Sequence, residues 1–184
     1  MNMFYKRDEH YKILGNFMVE FSTMETALLQ YCSIITYLNY CQDGYTRYSP
    51  LSLSDRLKFI RDFIYKNLPL LQNDWDKITQ KINSVNEDRR HLIHGIGRST
   101  LWAENLNTMC PKKGEIIEKE YNVIDIEKII SDIQEIKTGD NGIQGEFLTK
   151  FCTHRYDHYN KNIDNSSKVI YTVNGEVLTE FKGV

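Results

Sequence analysis

The sequence predicts a mainly α fold: an up-down bundle of four to five helices, with a small β-hairpin inserted after the third helix and a second hairpin at the C-terminal end. Three observations predict it. Two apolar seams with a seven-residue repeat run through the first forty residues, at the period of packed helices. Three amphipathic segments follow one another across short polar breaks, which suits antiparallel neighbours. The apolar period changes from helical to alternating only near 98–121 and 168–181.

The first helix spans about 8 to 41. Leu14, Phe21, Leu28 and Ile35 form one seam, and Phe17, Met24, Tyr31 and Leu38 form the other. Glu25 lies beside them, either exposed or neutralising an inward-pointing arginine. Asp43-Gly44 and the segment ending at Pro50 break the pattern. Ser52-Leu53-Ser54-Asp55 resembles a capping box and opens a second helix, with Leu57, Ile60, Ile64 and Leu68 on its buried face and Pro69 at its end. A third helix begins between Leu70 and Asp74 and runs to about His94, its stripe carried by Trp75, Ile78, Ile82, Val85 and Leu92.

After Gly95 helical period is lost. Residues 98–103 and 115–121 read as a hairpin with a long loop punctuated by Pro111 and Gly114. Asp125 reads as the cap of a fourth helix bearing Ile126, Ile129, Ile130, Ile133 and Ile136, closed by Gly139. A weaker fifth helix, at 143–159, is built on Phe147, Leu148 and Phe151. Residues 168–173 and 176–181 flank Asn174-Gly175, a pair that tolerates the positive φ of a tight hairpin turn. The 184 residues read as one domain, with a helical core over about 8–160 and the C-terminal hairpin over about 167–182.

Composition excludes several classes. A formal net charge of -2 argues against a protein basic all over, so a polyanion would need a local cationic patch. The four cysteines make no C-x-x-C pair; Cys32 reads as packing, and reduced thiols suit a cytoplasmic location. No apolar run is long enough to span a bilayer, and the first residues lack the apolar core of a signal peptide. No phosphate-binding loop, dinucleotide fingerprint or serine-hydrolase elbow occurs. His154 and His158, four apart, share a helix face that suits a metal, but the metalloprotease glutamate is missing and no metal is assigned. Arg155, Tyr156, Tyr159 and Lys161 could track a single strand, and packing explains them equally well.

The stretch that carries chemistry is Asn86-Glu87-Asp88-Arg89-Arg90-His91-Leu92-Ile93-His94-Gly95. The apolar stripe of the third helix places a core position at 89, and the residue there is arginine, whose charge cannot be shed. Five residues on is His94, which can change charge near neutral pH, at a helix end before glycine. A histidine and an arginine so placed suit RNA cleavage: the imidazole moves the proton of a ribose 2′-hydroxyl or of the leaving oxygen, and the guanidinium clamps the phosphate. Residues five apart on a regular helix diverge by about 140°. Arg89 and His94 therefore converge only through a distorted last turn, through the length of arginine, or through a second subunit. Arg90 shares a face with His94 and is a second cation. With His91 and Arg98 it makes the substrate-binding set.

The stretch Arg89-Arg90-His91-Leu92-Ile93-His94-Gly95 resembles the signature of the HEPN superfamily: arginine, a polar residue, three variable positions, then histidine, commonly before glycine. The helical part of the resemblance covers about 10–140, and only 86–95 is motif-specific. The resemblance implies an all-α bundle, a homodimer with a composite cleft, and a metal-independent endoribonuclease without cofactor. It further implies RNA as substrate, in a toxin–antitoxin or antiviral setting with an antitoxin or regulatory protein as a further partner. Arg89 and His94 carry over as the catalytic pair. The position after the arginine is often asparagine in the family and is Arg90 here. Glu25, Glu87 and Asp88 are supporting residues, the last two as candidates for tuning the histidine or orienting the arginine. Two rivals stand beside this reading: a non-catalytic HEPN module binding a nucleotide, RNA or protein, and a structural bundle in which Arg89 is one half of a buried ion pair.

Overall fold

Helix α1, Met3–Tyr37, is the axis of the fold; at 35 residues it is about 50 Å long. Both expected seams turn inward: Phe17, Phe21, Met24, Leu28, Tyr31 and Ile35 are buried, with Leu14 half-buried at the edge. The computed structural model describes residues 3–95, 105–162, 169–173 and 176–181. The buried side chains form one cluster to which α1 and every helix named below contribute.

The break at 38–41 leads into a short helix, α2 (Gln42–Tyr48), where the sequence shows only interruption. Gly44 explains why a helix fits there. A Cβ at this position would stand 2.1 Å from Ser33 Oγ, so only glycine lets α2 lie directly on α1. Helix α3, Leu53–Asn67, opens as expected: Ser52 Oγ accepts from the Asp55 amide. A single 3₁₀ turn, Pro69–Leu71, leads into α4, Gln72–Arg89, whose stripe of Trp75, Ile78, Ile82 and Val85 is buried.

The first hairpin differs from expectation. Strand β1 is Leu106–Lys112 and pairs antiparallel with β2, Glu115–Tyr121; the second strand lies where the alternation put it. The first strand runs directly up to the turn, so there is no long loop. The turn is Lys113-Gly114, both with positive φ (51° and 88°), the backbone of a tight two-residue connection. The expected strand at 98–103 lies outside the described residues.

Helix α5, Val123–Thr138, buries all five isoleucines of its stripe and ends at Gly139. Its cap is Asn122 rather than Asp125. Asp125 is the reciprocal partner, whose carboxylate accepts from the Asn122 amide. Helix α6, Glu146–Asn162, adds Phe147 and Phe151, which meet Tyr31; Phe147 also stacks on Trp75. Strands β3 (Val169–Val173) and β4 (Glu176–Phe181) pair with each other in a sheet separate from β1–β2, and the turn residues Asn174 and Gly175 lie outside the described residues. The fold is thus mainly helical with small antiparallel hairpins. Among the described residues, no helix is long and apolar enough to cross a membrane.

Two internal clamps hold the helices in place. Lys137 on α5 reaches Glu20 on α1 at 2.7 Å and lowers the pKa of that carboxylate, chiefly through the hydrogen bond. Arg155 and Tyr156 on α6 donate to Ile35 O at 2.9 Å and Leu38 O at 2.7 Å, serving carbonyls at the end of α1. Leu38 itself has φ 63°, an uncommon conformation for a branched side chain. The strand-tracking reading of Arg155 and Tyr156 gives way to this helix-end role.

Candidate functional site at the end of α4

The regular winding of α4 stops at Arg89. Residues Arg90–His94 form one π turn, hydrogen-bonded from i to i+5. A π turn winds more slowly than an α-helix, so it narrows the angle of about 140° that a regular helix would leave between positions 89 and 94. No hydrogen bond joins the two side chains directly.

Arg89 is half-buried, and its guanidinium carbon lies 5.0 Å from the centroid of the Phe21 ring on α1. Phe21 is itself fully buried, so the cation is laid against the wall of the core. Among the described residues no carboxylate pairs with it. Glu25 faces a different arginine, Arg56, at 3.9 Å. Arg56 is buried and donates to Tyr48 O at 3.2 Å and Ser49 O at 2.8 Å. The inward-pointing arginine that Glu25 meets is therefore Arg56. A signal for it existed in the sequence, because Arg56 falls on the apolar stripe of α3 between Leu53 and Ile60.

His94 closes the π turn and is exposed. Arg90 is 41% exposed and pairs with Glu87 at 3.3 Å. His91, expected among substrate-binding residues, is instead 1% exposed. Its Nδ1 lies 3.3 Å from Thr108 Oγ1 on β1, and that hydroxyl donates to Lys119 O at 3.2 Å. A hydroxyl has one proton, so Thr108 accepts from His91, which assigns the His91 hydrogen to Nδ1. Burial, with Lys119 second, holds the His91 pKa below the ordinary imidazole range. Arg98 lies outside the described residues.

Glu87 and Asp88 hold the hairpin to the helix end. Lys112 Nζ reaches Glu87 at 2.6 Å, and that hydrogen bond is the main reason the glutamate pKa is lowered. Asp88 Oδ1 accepts from Lys119 Nζ at 3.0 Å and from the Tyr121 hydroxyl at 2.9 Å. Neither acid reaches Arg89 or His94. The hairpin thus brings two lysines to the site that sequence reasoning missed: Lys112 lies on a strand where the sequence predicts loop, and Lys119 lies on the expected strand, whose docking on α4 no local spacing encodes. Three cations, Arg90, Lys112 and Lys119, gather around the carboxylates of Glu87 and Asp88, with Arg89 next to them in sequence, an excess of positive charge that suits a polyanion.

Gly95 is the joint between helix and hairpin. Its φ is -81°, so no left-handed backbone calls for glycine. Space does: a Cβ would lie 2.5 Å from His91 O and 3.1 Å from both Met109 O and Thr108 Cβ. The Met109 amide donates to Gly95 O at 3.0 Å across this close approach.

A depression lined by Tyr40, Cys41, Gln42 and Tyr45 has no charged side chain. Among the described residues, no three His, Cys, Asp or Glu side chains gather as a metal cage would. Comparison of the chain with protein-family models, with curated proteins and with solved structures gives no match.

Proposed function

We propose that the protein is a metal-independent endoribonuclease of HEPN type, cleaving RNA at the face where α4 ends. The observation that carries the reading is the state of Arg89. It is a permanent cation on the apolar stripe of α4, seated on an aromatic ring, without a carboxylate among the described residues, immediately before the turn that ends at exposed His94. Its N–H groups are thereby left for an anion from outside the fold, and a phosphodiester has the matching charge and geometry.

In the reaction, the ribose 2′-oxygen attacks the adjacent phosphorus and the 5′-oxygen of the next nucleotide leaves, giving a 2′,3′-cyclic phosphate and a free 5′-hydroxyl. His94 takes the 2′-hydroxyl proton or supplies one to the leaving oxygen, and a second copy of the site in a homodimer would supply the complementary role. Arg89 holds the non-bridging oxygens, where negative charge grows in the transition state. Arg90 tracks a neighbouring phosphate, in competition with its pairing to Glu87. A cytoplasmic setting and control by an antitoxin or regulatory protein belong to the same proposal.

The test is incubation of purified protein with bulk RNA in excess EDTA, beside His94→Ala and Arg89→Ala, with sizing to give the number of copies. The reading expects wild-type fragments ending in cyclic phosphate and none from either variant. RNA bound but uncut by wild type selects the non-catalytic HEPN module. Full activity of His94→Ala removes the mechanism.

A further inference from the structure

A π turn winds its backbone off the regular α register, so something must hold it. On the side facing β1, three consecutive strand residues grip the turn. Thr108 accepts from the His91 ring at 3.3 Å, the Met109 amide donates to Gly95 O at 3.0 Å, and Cys110 Sγ donates to Arg90 O at 3.8 Å. Lys119 and Tyr121 on β2 both reach Asp88, in the last turn of α4. Thr108 and Lys119 are cross-strand partners, as are Leu106 and Tyr121, so both anchors belong to one register. A slip of a single residue would turn every one of these side chains to the other face. The tight Lys113-Gly114 turn fixes that register.

We infer that the β1–β2 hairpin positions the catalytic turn, with Thr108 and Tyr121 as positioning residues that act on His94 through His91 and Asp88. The inference rests on the proposed cleavage for its consequence, but the grip itself is a property of the fold. Thr108 has no route to substrate, being 1% exposed. Its hydroxyl is the middle of the relay from His91 Nδ1 to Lys119 O, and so ties the turn to both strands at once. Tyr121, also buried, gives the same service from the other strand, by its hydroxyl alone.

The test compares wild type with Thr108→Val, which keeps the shape and removes the hydroxyl, with Thr108→Ser, which restores it, and with Tyr121→Phe. Ser52→Ala, which unseats the distant cap of α3, controls for plain loss of stability. Two readouts are taken: amide exchange at 90–95 by NMR, and the kinetics of RNA cleavage. Thr108→Val and Tyr121→Phe should speed exchange at 90–95 and lower kcat by about tenfold to a hundredfold with KM little changed. Thr108→Ser should recover both, and Ser52→Ala should alter neither. Unchanged exchange in Thr108→Val and Tyr121→Phe overturns the grip whatever the RNA result. Faster exchange with unchanged kcat, or a kcat loss equalled by Ser52→Ala, overturns the positioning role. Should wild type leave RNA intact, the cleavage reading and the catalytic consequence fall together, and exchange alone still decides whether the hairpin holds the turn.

Discussion

Arg89 and Phe21 meet face-on, guanidinium over ring at 5.0 Å, and this pairing separates two arginines that look alike in the sequence. Arg56 is buried with two backbone carbonyls and a carboxylate as partners; Arg89 is half-buried against an aromatic face, with no carboxylate among the described residues. Replacing Arg56 by Met should therefore cost about 3 kcal/mol, because Tyr48 O and Ser49 O lose their donor. Replacing Arg89 by Gln should cost about 1 kcal/mol or less and should abolish RNA binding or cleavage. Urea unfolding of both variants beside an RNA-cleavage assay checks the ranking. A larger stability loss at Arg89 than at Arg56 would revive the structural-bundle rival.

His94 is exposed at the end of the turn, and among the described residues its side chain has no hydrogen-bond or ion-pair partner. His94→Ala should leave the thermal midpoint within about 1 °C of wild type, since exposed substitutions away from special features change stability little. Cleavage should fall below detection. Calorimetry with the EDTA-resistant assay measures both quantities on one preparation.

His91 makes the stability of the fold depend on pH. Its pKa in the folded chain is lowered, mainly by burial, so the unfolded chain binds a proton more readily. The stability this contributes is present above the unfolded value of about 6.5 and is lost as pH falls through the folded value. Unfolding free energy should decline from pH 7.5 to pH 5. His91→Asn, whose amide can donate to Thr108 without titrating, should flatten that decline. The carboxylates of Glu20 and Glu87, also held low, act in a more acidic window below about 4.5. Equal slopes for wild type and His91→Asn would refute the assignment.

Gly95→Ala should destabilise by about 1–3 kcal/mol, an overpacking cost, because the new methyl would meet His91 O and the β1 backbone. Gly114→Ala should also destabilise, for a different reason: φ is 88° there and the space is open. Deletion of crowding through Thr108→Ser, which keeps the Cβ but removes a methyl, should give little relief at Gly95. Its nearest obstacle is the carbonyl of His91. Chemical denaturation of the single and double variants tests this.

The helices were legible because burial repeats with their winding. The two seams of α1 and the stripe of α4 follow from apolar spacing alone, and Ser52 announces α3 by chemistry at one position. Reciprocal caps were less so: Asn122 and Asp125 satisfy each other's amides, and the pattern does not say which one stands outside the helix. Strand β1 was hidden by Pro111 and by a Lys-Gly turn that lacks the usual asparagine. At the site, the sequence posed the angular problem between positions 89 and 94. It did not show the π turn that bears on this angle, because the contacts of that turn with Thr108, Met109 and Cys110 are tertiary and no local spacing encodes them. The partner of Glu25 is open in the sequence for the same reason: the spacing does not say which helix lies opposite, and the structure supplies Arg56.

Arg155 and Tyr156 bind carbonyls that lie about 120 positions earlier in the chain. During synthesis, the far end of α1 leaves the ribosome long before the side chains that complete it exist. That end must wait, its carbonyls served by water, until nearly all of the remaining helices have been made. Closing so long a loop is slow relative to forming local turns. A nascent chain halted before α6 should therefore be open to proteases near Leu38, and release of the last helix should seal it.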